Sequence, residues 1–312
     1  MEYLLLIIGF ALLIKGADLF IDGSSNLAKS LKIPTLVIGL TIVAFGTSAP
    51  EAMISIVASI NNSNEIATGN VIGSNIFNLL VVLGVSAMIK NVKASREVIT
   101  KDFLFMIFAT VILIIFMFDK YISGASTNLI TNGEGMVLVL IAILYTYSLI
   151  LTANEEKRLK VERHKLTTKD IGILLLGITG IIIGGNIVVD SAEKIAINLG
   201  ITKNLIGLTI VSMGTSLPEL VTSIVAVKKG EKDIAIGNII GSNIFNILFV
   251  LGISSSISAM SISQQSLIDA IILLIVSVMC YVLTCFKSRI GKTKGLLMVL
   301  AYVVFMIYIV IR

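Results

Sequence analysis

Long apolar runs fill most of this chain, and short polar stretches separate them. Ten runs stand out, at about 3–22, 33–60, 65–89, 102–118, 134–152, 170–190, 204–227, 233–257, 266–286 and 294–311. Several reach the ~20 residues that carry a helix across a bilayer. The second and seventh are longer than one helix needs, and each holds a Pro-Glu pair in mid-run (Pro50-Glu51 and Pro218-Glu219). The pattern predicts an all-α polytopic membrane protein of ten transmembrane helices, with the two long runs broken near their centres.

Composition agrees with that class. Of 312 residues, 56% are hydrophobic and 14% charged, against about a quarter charged in an average soluble domain. The first run is preceded only by Glu2, where a cleaved signal would carry positive charge, so it is read as a membrane helix. The net charge of +5 does not point to nucleic acid, because the basic residues sit in short loops between apolar runs. The expected partners are the lipid bilayer and inorganic cations.

Loop charge sets the orientation. With the N-terminus outside, nineteen Lys and Arg fall on the inner side and four on the outer, with Lys15 inside the first run. One missed span would scramble that split. The predicted location is a plasma membrane, multi-pass, with both termini outside and the linker 153–168 in the cytoplasm.

The chain also repeats itself. Ile38-Gly-Leu-Thr-Ile-Val-Ala-Phe-Gly-Thr-Ser-Ala-Pro-Glu51 returns as Ile206-Gly-Leu-Thr-Ile-Val-Ser-Met-Gly-Thr-Ser-Leu-Pro-Glu219. Gly69-Asn-Val-Ile-Gly-Ser-Asn-Ile-Phe-Asn78 returns as Gly237-Asn-Ile-Ile-Gly-Ser-Asn-Ile-Phe-Asn246, at the same offset of 168. The copies begin five spans apart, and five is odd, so they enter the membrane in opposite directions. That predicts two inverted five-helix repeats, residues 1–152 and 169–312, joined by 153–168. Many secondary transporters follow this plan, with substrate held near the midplane between the repeats.

Proline inside a helix removes a donor and clashes with the carbonyl four residues back, here that of Gly46 or Gly214. The expectation is a broken helix with the carbonyls of Ala44 to Thr47 and Ser212 to Thr215 lacking intrahelical partners. Such carbonyls persist at membrane depth only where they line a cavity or meet an ion. Thr47, Ser48, Thr215 and Ser216 add hydroxyls beside them. Glu51 and Glu219 add charge, and an intramembrane carboxylate is by default a functional-site candidate. This all-oxygen set suits hard cations, calcium above all.

In the second blocks, Asn70, Ser74 and Asn78 share one helix face, as do Asn238, Ser242 and Asn246. Gly69, Gly73, Gly237 and Gly241 permit close helix approach, and packing alone is an equal reading of that glycine pattern. Asp18, Asp22, Asn186 and Asp190 read as interface or hydration residues rather than ligands, and Lys15 as snorkelling or paired with Asp18. Cys280 and Cys285 read as small buried hydrophobes, and His164 as a solvated loop residue.

Gly-Thr-Ser-x-Pro-Glu followed by Gly-Asn-x-Ile-Gly-Ser-Asn-Ile-Phe-Asn, present twice, resembles the two α-repeats of the calcium/cation antiporter superfamily, and most of all its prokaryotic sodium/calcium exchangers. The resemblance implies a first and sixth helix that slide across a core of eight. It implies a central site formed by Glu51, Glu219 and the backbone or hydroxyl oxygens of Thr47 and Thr215. Ala44, Ser48, Ser74, Ser212, Ser216 and Ser242 would serve flanking sodium sites, and Asn78 and Asn246 would complete the centre. Ca2+ and Na+ are then the transported ions, with no organic cofactor and no enzymatic activity, in a protein working as a monomer. Some relatives, including potassium-dependent ones, carry Asp where this chain has Asn246. The proton-driven branch carries Gly-Asn-x-x-Glu in place of Gly-Ser-Asn-Ile-Phe-Asn. The function so implied is Na+/Ca2+ antiport by alternating access. The alternatives are a proton- or potassium-coupled calcium antiporter and, less well matched, a cation channel, which usually needs a symmetric ring of subunits.

Overall fold

The computed structural model describes residues 1–93, 95–122, 127–156, 166–200, 212–285 and 289–311. Helix dominates. In chain order the long elements are α1 (Glu2–Leu31), α2 (Thr35–Thr47), α3 (Ala49–Ile60), α4 (Asn64–Ile89), α5 (Val98–Met117), α6 (Asn132–Glu156), α7 (Thr168–Asn198), α8 (Leu217–Lys229), α9 (Lys232–Ile257), α10 (Gln264–Cys285) and α11 (Lys292–Ile311). Eight of these are long and apolar enough to cross a membrane, and α2 with α3 makes a ninth span bent by 51°. The tenth expected span, 204–227, is described only from residue 212 onward. His164 and most of the linker lie outside the described residues.

Burial ranks the helices. In α4 and α9, which carry the second repeated block, 78% and 89% of the apolar window is buried, against 22% in α6 and 17% in α11. The motif helices therefore form the centre, and the plain apolar helices form the rim that faces lipid. Both central helices widen into a π turn, at Asn78–Val82 and at Asn246–Val250. A π turn inside an α-helix is rare and frequently marks a functional site. Here each one starts on the last asparagine of the repeated block.

α1 lies along α7. Glycines set how close they come: a Cβ on Gly16 would stand 2.6 Å from the Ile181 nitrogen, and one on Gly177 would stand 2.5 Å from the Phe20 nitrogen. Gly9 meets Val188, Gly16 meets Gly180 and Ile181, and Gly23 meets Leu174. Numbers rise on one helix as they fall on the other, so α1 and α7 run antiparallel. That is the relation expected of the first helices of two inverted copies. Gly237 and Gly241 bring α9 against α2 in the same way, with a Cβ on Gly241 only 2.6 Å from the Leu40 carbonyl oxygen. Gly69 has no described atom within 4 Å of its would-be Cβ; the counterpart of α2 in the second copy falls in the undescribed stretch.

Two short strand pairs, β1 (Val92–Lys93) with β4 (Arg289–Ile290) and β2 (Leu129–Ile130) with β3 (Met260–Ser261), tie loops of one half to loops of the other. At two residues each they are too short for any alternation to predict. Cys280 is buried as expected, but Cys285 is exposed. It stands at the last residue of α10, where the helix has run past its buried face.

Candidate ion site

The break between α2 and α3 falls at Ser48, with Pro50 in the first turn of α3. Ser216 and Pro218 hold the same places before and inside α8. The proline sits where a helix tolerates it, because first-turn N–H groups have no intrahelical acceptor. Glu51 and Glu219 follow in the same first turn, where the positive end of the helix dipole favours a carboxylate. So one short sequence both breaks the span and installs the charge beside the break.

One expectation needs correction. The carbonyl of Ala44 is not without a partner: it accepts the Ser48 N–H at 3.0 Å and the Thr47 hydroxyl at 3.3 Å. Met213 likewise accepts the Ser216 N–H at 3.2 Å. Pro50 and Pro218 lack only their own N–H, so the serines two residues earlier still close a turn. Ser212 is described only in its backbone, so its side chain lies outside the described residues.

The serines at the breaks cross between the copies. Ser48 Oγ donates to Glu219 Oε1 at 2.8 Å, and Ser216 Oγ donates to Glu51 Oε1 at 2.9 Å. Ser74 Oγ donates to the same Glu51 oxygen at 3.5 Å. The threonines cross too: Thr47 Oγ1 donates to Asn238 Oδ1 at 3.0 Å, and Thr215 Oγ1 donates to Asn70 Oδ1 at 3.4 Å. Thr47 Oγ1 and Ser242 Oγ lie 3.5 Å apart. Those asparagines are held in turn, Asn70 Nδ2 by Ser55 Oγ at 3.0 Å and the Glu51 carbonyl at 3.2 Å, and Asn238 Nδ2 by Ser223 Oγ at 3.1 Å. The threonine hydroxyls thus donate to asparagines of the other copy, and the serine hydroxyls to the two carboxylates.

Four buried oxygens stand apart. Glu51 Oε2, Glu219 Oε2, Asn78 Oδ1 and Asn246 Oδ1 have no hydrogen-bond partner among the described residues, and all four residues are fully buried. An unpaired buried acceptor costs about 1–3 kcal/mol, and more when charged. Two such carboxylates and two such amides, one of each from either copy, are a donor set waiting for positive charge. Among the described residues no three His, Cys, Asp or Glu side chains cluster as a metal site. The charge is carried by two carboxylates and the remaining ligands are neutral oxygens, which suits a hard cation rather than a transition metal.

Of the twelve residues expected at the site, eight fall into two hydrogen-bonded groups: Glu51 with Ser74, Ser216 and, through Asn70, Thr215, and Glu219 with Ser48, joined through the Ala44 carbonyl to Thr47 and Ser242. Asn78 and Asn246 connect through a separate pair, Asn75 and Asn243. Sequence reasoning passed over that pair, and also Ser55 and Ser223. The signal was present, since each recurs at the same offset of 168. The acidic residues of α1 fall elsewhere: Lys15 pairs with Asp18 at 2.8 Å, and Lys229, at the end of α8, pairs with Asp18 and Asp22 at 2.6 Å each.

Comparison with known proteins agrees with this architecture. Inner membrane protein YrbG of Escherichia coli is 34% identical over 97% of this chain and 94% of its own length. The sodium/calcium exchanger MaX1 of Methanosarcina acetivorans is 31% identical over 98% of this chain and 97% of its own. Among solved structures, the sodium-calcium exchanger NCX_Mj soaked with zero Na+ and Ca2+ superposes with a TM-score of 0.84 at 29% identity, covering 99% of this chain and 98% of that one. The profile described as sodium/calcium exchanger protein matches residues 1–151 and 169–311, the two copies on either side of the linker. On these grounds the chain belongs to the sodium/calcium exchanger protein family.

Proposed function

We propose that this protein exchanges Na+ for Ca2+ across the plasma membrane by alternating access, with both ions using the oxygens gathered around Glu51 and Glu219. The observation that carries the reading is the set of four buried, unpartnered oxygens, Glu51 Oε2, Glu219 Oε2, Asn78 Oδ1 and Asn246 Oδ1. With both carboxylates ionised the empty site bears about two negative charges, which one Ca2+ or two Na+ would neutralise. Any further Na+ makes the cycle electrogenic. Thr47 and Thr215 supply neutral ligands, and Ala44, Ser48, Ser74, Ser212, Ser216 and Ser242 the flanking sodium sites.

The inverted copies 1–152 and 169–312, joined by a cytoplasmic linker at 153–168, give two equivalent ways of opening the site. The sliding elements are α1 and α7. Glycines of both helices line their contact, and a monomer contains the whole site. The N-terminus is placed outside by the basic residues of the loops. Calcium uptake into reconstituted vesicles under imposed Na+, K+ or H+ gradients tests the reading. An outward Na+ gradient drives uptake, and K+ is not required, because Asn246 supplies one negative charge fewer than an aspartate. Uptake driven only by a proton gradient, or a strict K+ requirement, would refute that ion assignment.

A further inference from the structure

We propose that Asn75 and Asn243, outside the expected ligand set, are positioning residues: each holds the site asparagine of the opposite copy so that its carbonyl oxygen faces the ions. This rests on the functional reading above and concerns the same site. An asparagine side chain has nearly the same shape in its two flipped orientations, but one presents an acceptor and the other a donor. A cation needs the acceptor, so the flip of Asn78 and Asn246 has to be fixed by something other than shape.

The structure contains such a constraint, and it starts from a group that has only one option. The backbone carbonyl of Asn243 can only accept, and Asn75 Nδ2 donates to it at 3.2 Å. That commits Asn75 Oδ1 to the other side, where it accepts Asn246 Nδ2 at 3.1 Å. Asn246 Oδ1 is then left buried without a partner. The reciprocal arm is looser: Asn78 Nδ2 donates to Asn243 Oδ1 at 3.5 Å, and Asn243 Nδ2 is directed to the Met106 sulfur at 3.5 Å, a weak acceptor. Asn78 Oδ1 is again left without a partner. Asn75, Asn78 and Asn246 are fully buried, and Asn243 is 1% exposed, so bulk water does not reorient them. The arms are related by the 168-residue offset, yet only the Asn75 arm ends on a backbone carbonyl. Asn75 therefore matters more than Asn243.

The test uses the full chain reconstituted in vesicles. The Ca2+ KM and the maximal rate are measured at saturating opposing Na+ for the wild type, Asn75→Leu and Asn243→Leu, and thermal unfolding is followed with and without Ca2+. Asn75→Leu raises the Ca2+ KM at least tenfold, Asn243→Leu raises it less, and the Ca2+-induced rise in Tm shrinks while the ion-free Tm stays within a few degrees. Because Asn75 acts through Asn246, adding Asn75→Leu to Asn246→Leu raises the KM no further. Should Asn75→Leu fail to assemble, Asn75→Ala carries the same comparison. A Ca2+ KM within twofold of wild type in the folded Asn75 variant, or independent additive losses in the double variant, overturns the positioning role. A wild type that fails to exchange Na+ for Ca2+ removes instead the functional reading beneath it.

Discussion

Replacing Glu51 by glutamine changes almost nothing in shape, and the structure says what it changes in energy. In the wild type, Glu51 Oε1 accepts the Ser216 hydroxyl and Oε2 is left free. In Glu51→Gln the carbonyl oxygen keeps the serine, and an NH2 donor takes the position of the free oxygen. The site loses one charge and gains a group that repels cations. At an effective dielectric constant of about 20 and a separation of about 4 Å, a divalent ion and one carboxylate attract by roughly 8 kcal/mol. Desolvation cancels part of this, and removing one partner of a buried charged pair typically costs about 3–5 kcal/mol. With about 1.4 kcal/mol per tenfold, Ca2+ affinity falls by roughly two to three and a half decades. The ion-free protein behaves oppositely: it loses an uncompensated buried charge, so its Tm is unchanged or higher. In Ca2+ at a hundred times the dissociation constant, the wild type gains about 2.7 kcal/mol from binding, a gain absent in the variant. Radiolabelled Ca2+ uptake into Na+-loaded vesicles, together with melting curves with and without Ca2+, measures both effects. Glu219→Gln gives the same pair of results, because Ser48 holds Glu219 as Ser216 holds Glu51. Wild-type exchange by either variant refutes the assignment of the site.

Other outcomes follow from the same geometry. Protons compete for the two carboxylates, and protonation removes their charge, so exchange falls as pH falls and added Ca2+ restores it. A pH-independent rate across the acid range refutes competition at this site. Gly16→Leu drives a side chain into the Ile181 backbone and forces α1 off α7, so maximal exchange drops severalfold or the protein fails to accumulate in the membrane. Unchanged flux shows that the glycine contact is dispensable. In a cysteine-free background, a cysteine at Asn154 stays unlabelled by an impermeant reagent on intact cells and labels after permeabilisation. Ready labelling from outside reverses the topology.

The class, the duplication and the two carboxylates inside apolar runs were legible in the sequence alone. Ten apolar runs left no soluble alternative, since so little polar surface cannot face water. Pro50-Glu51 and Pro218-Glu219 were legible because a proline and a carboxylate inside an apolar run each cost free energy, and two copies of the same cost are hard to ascribe to packing. The glycines of α9 announced a close approach, found against α2.

Tertiary structure decided who holds whom. Nothing in the repeat says that Ser48 reaches Glu219 rather than Glu51, because local spacing is blind to a crossing between copies 168 residues apart. Ala44 was expected to have a free carbonyl, but the backbone turn at Ser48 closed on it, a matter of dihedral angles rather than composition. Lys229, read as a loop charge, pairs with α1 instead. Asn75 and Asn243 drew no attention within the repeated block. Their role is visible only in three dimensions, because which end of an amide is donor and which is acceptor is fixed by neighbours from the other half of the chain.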